Sequence, residues 1–293
     1  MSIKKAIFVV AGFGTRFLPA TKAQPKEMLP IVNKPIIQYL VEEAVEAGIQ
    51  EIIFITGRGK NSIENHFDRS VELESALVEK GKEALLKEIS GISKLANFAY
   101  VRQAVQNGDG DALLCAKPFI DPTEPVLVIY PDYLMKKQTK AIQQIIKIYN
   151  ETLEPVICGD VVPESEVKKY GVMKYEATDK DHVVKVTGFV EKPEPKDAPS
   201  NLISAGYFVI TPNVFRLLEN SVSNTSDGEL RLADAFVEMM KQGKPLYAFK
   251  PDESGFDCGN ILGFLKATVE FGLEHEDLRE DLLKFLQEKV DKK

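Results

Sequence analysis

The run Ala6-Ile7-Phe8-Val9-Val10 is continuously apolar and stops at Ala11-Gly12-Phe13-Gly14. A run unbroken by polar residues suits a strand buried on both faces of a parallel sheet. Pro35 to Ala47 then carries apolar residues at helical spacing, with Gly48 placed to close the helix in the left-handed conformation. Glu51 to Thr56 is a second apolar run. Strand, loop, helix and strand in that order make a βαβ unit, whose crossover is right-handed. The chain is thereby confined to an α/β fold, Rossmann-like, with a mainly parallel sheet flanked by helices. The loop after the first strand falls at a carboxyl end, where open α/β sheets bind ligands.

The alternation continues. Strands are expected around residues 97–102, 125–130, 155–161, 172–175, 183–190 and 203–210, and helices around 112–117, 139–149, 213–218 and 229–240. Residues 60–95 are charged and helical in pattern, with breaks expected at Gly81 and Gly91. The stretch from Leu262 to Val290 reads as a long amphipathic helical region broken near Gly272 or His275. No internal repeat or low-complexity linker divides the chain.

With 44% apolar and 28% charged residues the chain is globular, and its net charge of −7 argues against a general nucleic-acid binder. Cys115, Cys158 and Cys258 are odd in number and far apart, which fits neither a disulfide framework nor zinc spacing, and suits a reducing compartment. Met1-Ser2-Ile3-Lys4-Lys5 lacks the apolar core of a signal peptide, and no stretch reaches the length of a membrane span. A soluble, cytoplasmic protein is expected.

The loop after the first strand carries Gly12, Gly14, Arg16, Lys22 and Lys26 within a short distance. A plain tight turn explains the glycines but not the cations. A dinucleotide fingerprint needs longer glycine spacing and an acidic residue further on, and a P-loop needs Gly-Lys-Ser/Thr; Thr15-Arg16 provides neither. A nucleotidyl-transfer loop accommodates all of it. Gly12 and Gly14 bring backbone N–H groups to phosphates, Arg16 holds the outer phosphates bidentately, and Lys26 follows charge building on the α-phosphate.

Asp132 ends a strand and Asp257 opens the final helical region. Two carboxylates distant in sequence can meet at one sheet edge and hold a hard cation such as Mg2+. Taken singly, Asp132 reads equally well as a turn residue after Pro131, and Asp257 as a helix N-cap. Glu191-Lys192 is either a solvated turn pair or a grip on a sugar hydroxyl and a sugar phosphate. Gln103 offers both a donor and an acceptor to a pyrimidine edge.

The ordered series Gly12-Phe13-Gly14-Thr15-Arg16, Leu18-Pro19-Ala20-Thr21-Lys22, Pro25-Lys26-Glu27-Met28-Leu29-Pro30 and Lys34-Pro35-Ile36-Ile37-Gln38-Tyr39 resembles the sugar-1-phosphate nucleotidyltransferases. Within them it is similar to the bacterial UTP–glucose-1-phosphate uridylyltransferases. The likeness continues through residues 60–68, Val101-Arg102-Gln103, Tyr170-Gly171-Val172, Val190-Glu191-Lys192-Pro193, residues 198–202 and Asp257-Cys258-Gly259-Asn260, covering nearly the whole chain. The resemblance implies a single nucleotidyltransferase domain over 1–293. Its nucleotide part would span about 1–135, a β-rich sugar-phosphate part about 136–260, and a C-terminal helical region about 261–293. It implies a Mg2+-dependent reaction of UTP with glucose 1-phosphate, in which Arg16, Lys26 and Lys192 act on phosphates and Asp132 and Asp257 hold the metal. Ala11, Gly12, Gly14, Thr15, Glu27, Gln103 and Gly108 would surround the nucleotide. Gly171, Glu191, Lys192 and Asn201 would face the sugar. Relatives of this kind form homodimers or homotetramers.

The likeness has gaps. Gly108-Asp109-Gly110-Asp111-Ala112 stands where the family often has Gly-Leu-Gly-His-Ala, which keeps the turn but brings two carboxylates to the nucleoside end. The alternatives are the same chemistry with dTTP or another sugar 1-phosphate, and a non-catalytic sugar-nucleotide sensor. Lys26-Glu27 favours the uridylyl branch.

Overall fold

The computed structural model describes residues 3–221 and 228–291; Met1 and Ser2, where the leader reading began, lie outside them. Nine strands form one sheet: β1 (Lys5–Val9), β2 (Glu51–Thr56), β3 (Asn97–Arg102), β4 (Val126–Ile129), β5 (Val156–Val161), β6 (Gly171–Ala177), β7 (Val183–Glu191), β8 (Leu202–Ile210) and β9 (Tyr247–Phe249). Their spatial order is β3-β2-β1-β4-β8-β5-β9-β7-β6. The first four are parallel, with Ala6 of β1 facing both Ile52 and Leu127. Beyond β4 the sheet turns mixed: β8 runs antiparallel to β4 and β5, and β6 and β7 pair antiparallel across the short turn that joins them. Such a turn cannot make the long crossover that a parallel pair needs.

Helices α1 (Ile36–Glu46), α2 (Asn61–Phe67), α3 (Val71–Glu79), α4 (Glu83–Ile92), α5 (Asp109–Ala116), α6 (Ala141–Thr152), α7 (Pro212–Asn220), α8 (Leu232–Lys241), α9 (Ile261–Glu274) and α10 (Arg279–Val290) cover the sheet. Buried residues divide into two apolar layers. One holds Phe8, Leu40, Phe54 and Ile145; the other holds Ile7, Ile53, Leu113, Val128 and Phe236. Alternate side chains of β1 therefore feed opposite layers, as the period of a strand requires.

Several expected boundaries move. Gly81 ends the α3 segment with φ 64°, but Gly91 stays inside α4, because a glycine weakens a helix without forcing a stop. The C-terminal break falls at His275, while Gly272 lies inside α9. Helix α5 starts three residues earlier than expected, at Asp109.

Glu43 of α1 meets the amino end of α6, its Oε1 accepting from the Ile142 N–H at 3.1 Å. Burial pushes its pKa from 4.5 up to about 7, against the pull of that N–H and with the charge of Glu46 adding to the rise. The folded state thus keeps a proton that the unfolded chain releases. This contribution is complete below about pH 4.5 and is lost as pH rises through 7. Glu43→Gln, which cannot ionise, is expected to stabilise the protein by about 2–3 kcal/mol at pH 8 and hardly at all at pH 4.5. Urea unfolding at the two pH values reads this difference, and an equal effect at both would contradict it.

Candidate active site

The loop after β1 curls through three tight turns, Thr15–Phe17, Ala20–Lys22 and Lys26–Met28. Gly14 takes φ 67°, and its carbonyl accepts from the Thr21 hydroxyl at 2.7 Å. Phe17 is buried and pins the loop against Phe264 of α9, with ring centroids 5.6 Å apart. The curl brings Lys26 back over the sheet end, where its Nζ lies 2.8 Å from Asp132 Oδ2. Burial works against the Lys26 ammonium, but the charges of Asp132 and Glu27 outweigh it and raise its pKa. Lys26 is therefore firmly charged.

Asp132 and Asp257 come together because a two-residue strand follows each sheet segment. Tyr133–Leu134 pairs antiparallel with Phe256–Asp257, setting Tyr133 opposite Asp257. Asp160, buried at the end of β5, ties the pair down by accepting from the Tyr133 hydroxyl at 2.5 Å and the Gly255 N–H at 2.7 Å. Asp257 accepts from the Tyr170 hydroxyl and the Gly259 N–H, both at 2.8 Å. It does not cap α9; Asn260 does, accepting from the Gly263 N–H at 2.9 Å. A Cβ placed on Gly259 would lie 2.9 Å from Asp257 Oδ1, 3.1 Å from Arg16 Nη1 and 3.2 Å from Asp132 Oδ2. Both acids and the arginine thus border one small gap, which a side chain at 259 would fill.

That donor set fits a hard divalent cation. Each carboxylate has lone pairs beyond those already engaged. Among the described residues no group of three or more His, Cys, Asp and Glu forms a closed metal cage. Two carboxylates with remaining positions left to phosphate and water are what Mg2+ commonly takes.

Two clefts meet at this gap. One of about 360 Å³ is lined by Arg16, Asp132, Tyr170, Gly171, Glu191, Lys192 and Asp257, among others. The other, of about 300 Å³, is lined by Ala11, Gly12, Lys26, Glu27, Gln103 and Gly108, among others. Asp109, Tyr130 and Asp132 belong to both walls. In the first cleft Lys192 holds φ 46°, an uncommon and strained value for a lysine. Its N–H donates to Tyr170 O at 3.0 Å, and its ammonium lies 3.4 Å from Glu191. Gly171 lines this cleft, but its lack of a side chain serves Phe189, whose ring carbon would sit 2.4 Å from a Cβ there.

In the second cleft Glu27 is fully buried, with Oε2 2.8 Å from Lys60 Nζ and Oε1 without a hydrogen-bond partner among the described residues. Burial lowers the Lys60 pKa despite the attraction of Glu27. Gln106 Nε2 donates to Ala11 O at 2.5 Å and braces the loop. Gly14, Thr15 and Asn201 stand outside both linings; the Asn201 carbonyl accepts from the Val162 N–H at 3.1 Å. The structure adds Lys60, Gln106, Tyr133, Asp160 and Tyr170, which support the expected residues from behind. Lys60 and Tyr170 stand in stretches that carry the family likeness; no local pattern marks Gln106, Tyr133 and Asp160, because each acts across a long stretch of chain or through a strand pairing.

A mixed sheet ending in a basic glycine loop, with two clefts that share Asp132 and meet beside Asp257, defines a nucleotide-handling α/β transferase. The chain belongs to the nucleotidyl transferase family, whose model matches residues 5–272. It is 46% identical to the UTP–glucose-1-phosphate uridylyltransferase of Staphylococcus haemolyticus, over 98% of each chain. Among solved structures it is similar to a UTP-bound UGPase from Acinetobacter baumannii, with TM-score 0.88 and 39% identity over 98% of this chain and 99% of that one. A UDP-glucose pyrophosphorylase complexed with UDP-glucose gives TM-score 0.83 and 36% identity over 93% of this chain and all of that one.

Proposed function

We infer that this chain transfers a uridylyl group from UTP to α-D-glucose 1-phosphate, giving UDP-glucose and pyrophosphate. One observation carries the reading: Asp132, Asp257, Arg16 and Lys26 border a single gap where two clefts join. The full-length similarity to uridylyltransferases supports the choice of nucleotide and sugar.

The uridine end would lie against Ala11, Gly12, Glu27, Gln103 and Gly108, and the glucose end against Gly171 and Glu191, with Asn201 nearby. Gly14 and Thr15 shape the loop above the triphosphate. Lys192 would draw the sugar phosphate toward the gap. A phosphate oxygen of the sugar attacks the α-phosphorus, and the bond to the bridging oxygen of pyrophosphate breaks. The nucleophile is already an anion, so no protein base is required, and the chain's work is positioning and neutralisation. Lys26, kept charged by its carboxylate neighbours, faces the negative charge that builds on the α-phosphate. Arg16 steadies the leaving pyrophosphate. Asp132 and Asp257 would hold Mg2+, which when bound screens the repulsion between the two phosphates.

Incubating the protein with UTP, glucose 1-phosphate and Mg2+ should yield UDP-glucose and pyrophosphate in equal amounts. A higher kcat/KM with dTTP than with UTP would overturn the choice of nucleotide.

Among the described residues no helix is long and apolar enough to cross a membrane. Ile261, Leu262 and Leu265 lie exposed on one face of α9, and we assign this face to a second copy of the chain, in a homodimer or homotetramer. Light scattering of the parent should give a multiple of 32.7 kDa, and Leu265→Glu should lower it. A monomeric parent would contradict the assignment.

A further inference from the structure

Gln103 lies at the end of β3, and its N–H donates to Thr56 O at 2.9 Å, so its backbone is locked to β2. Its side chain is almost wholly buried and lines the nucleoside cleft with Ala11, Gly12 and Glu27. Both hydrogens of its amide are engaged: Nε2 donates to Asp111 Oδ2 at 2.7 Å and to Gly108 O at 3.0 Å. Turning the amide over would set Oε1 against a carboxylate and a carbonyl, neither of which has a proton to share. The orientation is therefore fixed by charge and not only by fit. Asp111 lies in the first turn of α5, where the helix favours an anion. The planar amide then leaves Oε1, an acceptor, as the group it can present to a ligand.

We propose that Asp111 is a positioning residue for base selection: by tethering the Gln103 nitrogen it makes the site select pyrimidines that carry a ring N–H. Uracil and thymine have a proton on N3, whereas cytosine has a lone pair there. An acceptor fixed in place pairs with the first two and repels the third. A group held for one hydrogen-bond pattern discriminates more sharply than a pocket that only fits a shape, because the mismatched partner leaves a buried acceptor unpaired. The proposal rests on the uridylyl-transfer reading and deepens it.

The test is kcat/KM with UTP, dTTP and CTP, each with glucose 1-phosphate, for the parent, Asp111→Ala and Asp111→Asn. In Asp111→Ala only the Gly108 carbonyl, of the two acceptors, still holds the amide, and turning it to offer its nitrogen to cytosine no longer sets Oε1 against a carboxylate. The UTP:CTP ratio should fall at least about tenfold, while UTP:dTTP stays within about twofold because both bases carry the N3 proton. Asp111→Asn can offer either an acceptor or a donor to Gln103, so it should lower the UTP:CTP ratio as well, by less than Asp111→Ala, while UTP:dTTP stays within about twofold. A structural role alone would lower all three nucleotides together, and that result, or an unchanged UTP:CTP ratio in Asp111→Ala, overturns the proposal. A parent that does not use UTP overturns the functional reading along with it, whereas a parent active on UTP with an unresponsive Asp111 overturns the positioning role alone.

Discussion

Asp132→Asn is expected to lower kcat at least about a thousandfold while the affinity for UTP, measured without divalent ion, is held or rises. Asp132 stands at the junction of both clefts and faces Asp257 across the gap at Gly259. Removing one charge leaves one carboxylate to hold the cation against two phosphates. An electrostatic group aimed at charge in the transition state is worth about 3–4 kcal/mol or more, which is the basis of the thousandfold figure. Binding behaves differently. In the proposed site Asp132 is an anion beside the triphosphate, and its loss would free Lys26, 2.8 Å away, to turn wholly toward phosphate. Asp257→Asn should share the loss of turnover. Steady-state kinetics beside calorimetric UTP titration separates the two effects, and a variant that keeps parental kcat would remove the acid it replaces from the metal assignment.

The second large effect concerns stability. Lys60→Met leaves the Glu27 carboxylate at 0% exposure, with Oε1 already unpartnered and Oε2 stripped of its lysine. Lys26 is near enough to interact with Glu27 but is bonded to Asp132. An unpaired buried charge of this kind costs about 3–5 kcal/mol. Adding Glu27→Gln should return at least half of that, since the double variant carries no orphaned charge and the two sites share one interaction. Urea denaturation of the parent, both single variants and the double variant closes the cycle. A loss below about 1 kcal/mol for Lys60→Met would show that water or another group compensates Glu27. The stake is functional as well, because Glu27 lines the cleft proposed for the nucleoside and the ion pair holds it there.

Local patterns carried the parallel half of the fold well. The bounds of β2 and β3 coincide with their expected ranges: β2 is buried along almost its whole length and leaves a continuous apolar signature, while β3, an edge strand with no buried residue, shows it in Phe98 to Val101. In the sugar half the bounds of β5 to β8 fall within two residues of the expected ranges, and β9 has no counterpart among them. β9 is three residues long and has no periodicity to detect, and β8 changes register between Ser204 and Phe208. Among the candidate residues, Arg16, Lys26, Asp132 and Asp257 were visible through residue type and through the likeness to a family. Their convergence was not, because it depends on two two-residue strands and on Asp160, which no spacing rule connects. Asp257 shows the limit plainly. Taken singly it reads equally well as a helix cap or a metal ligand; the likeness to a family favours the ligand, and the cap at Asn260 together with the pairing to Tyr133 removes the other reading. Asp109 and Asp111 looked like intrusions at the nucleoside end. Asp109 instead accepts from the Tyr130 hydroxyl, and Asp111 holds Gln103.

A crystal structure with UDP-glucose and Mg2+ tests the account most directly. The account expects the diphosphate in the gap bordered by Arg16, Lys26, Asp132 and Asp257, the uracil against Gln103, the glucose against Glu191, and the metal on both carboxylates. Ligand density elsewhere would contradict it, for instance in the cavity of about 390 Å³ beside Tyr39, Glu43 and Phe271, as would a metal that touches neither acid.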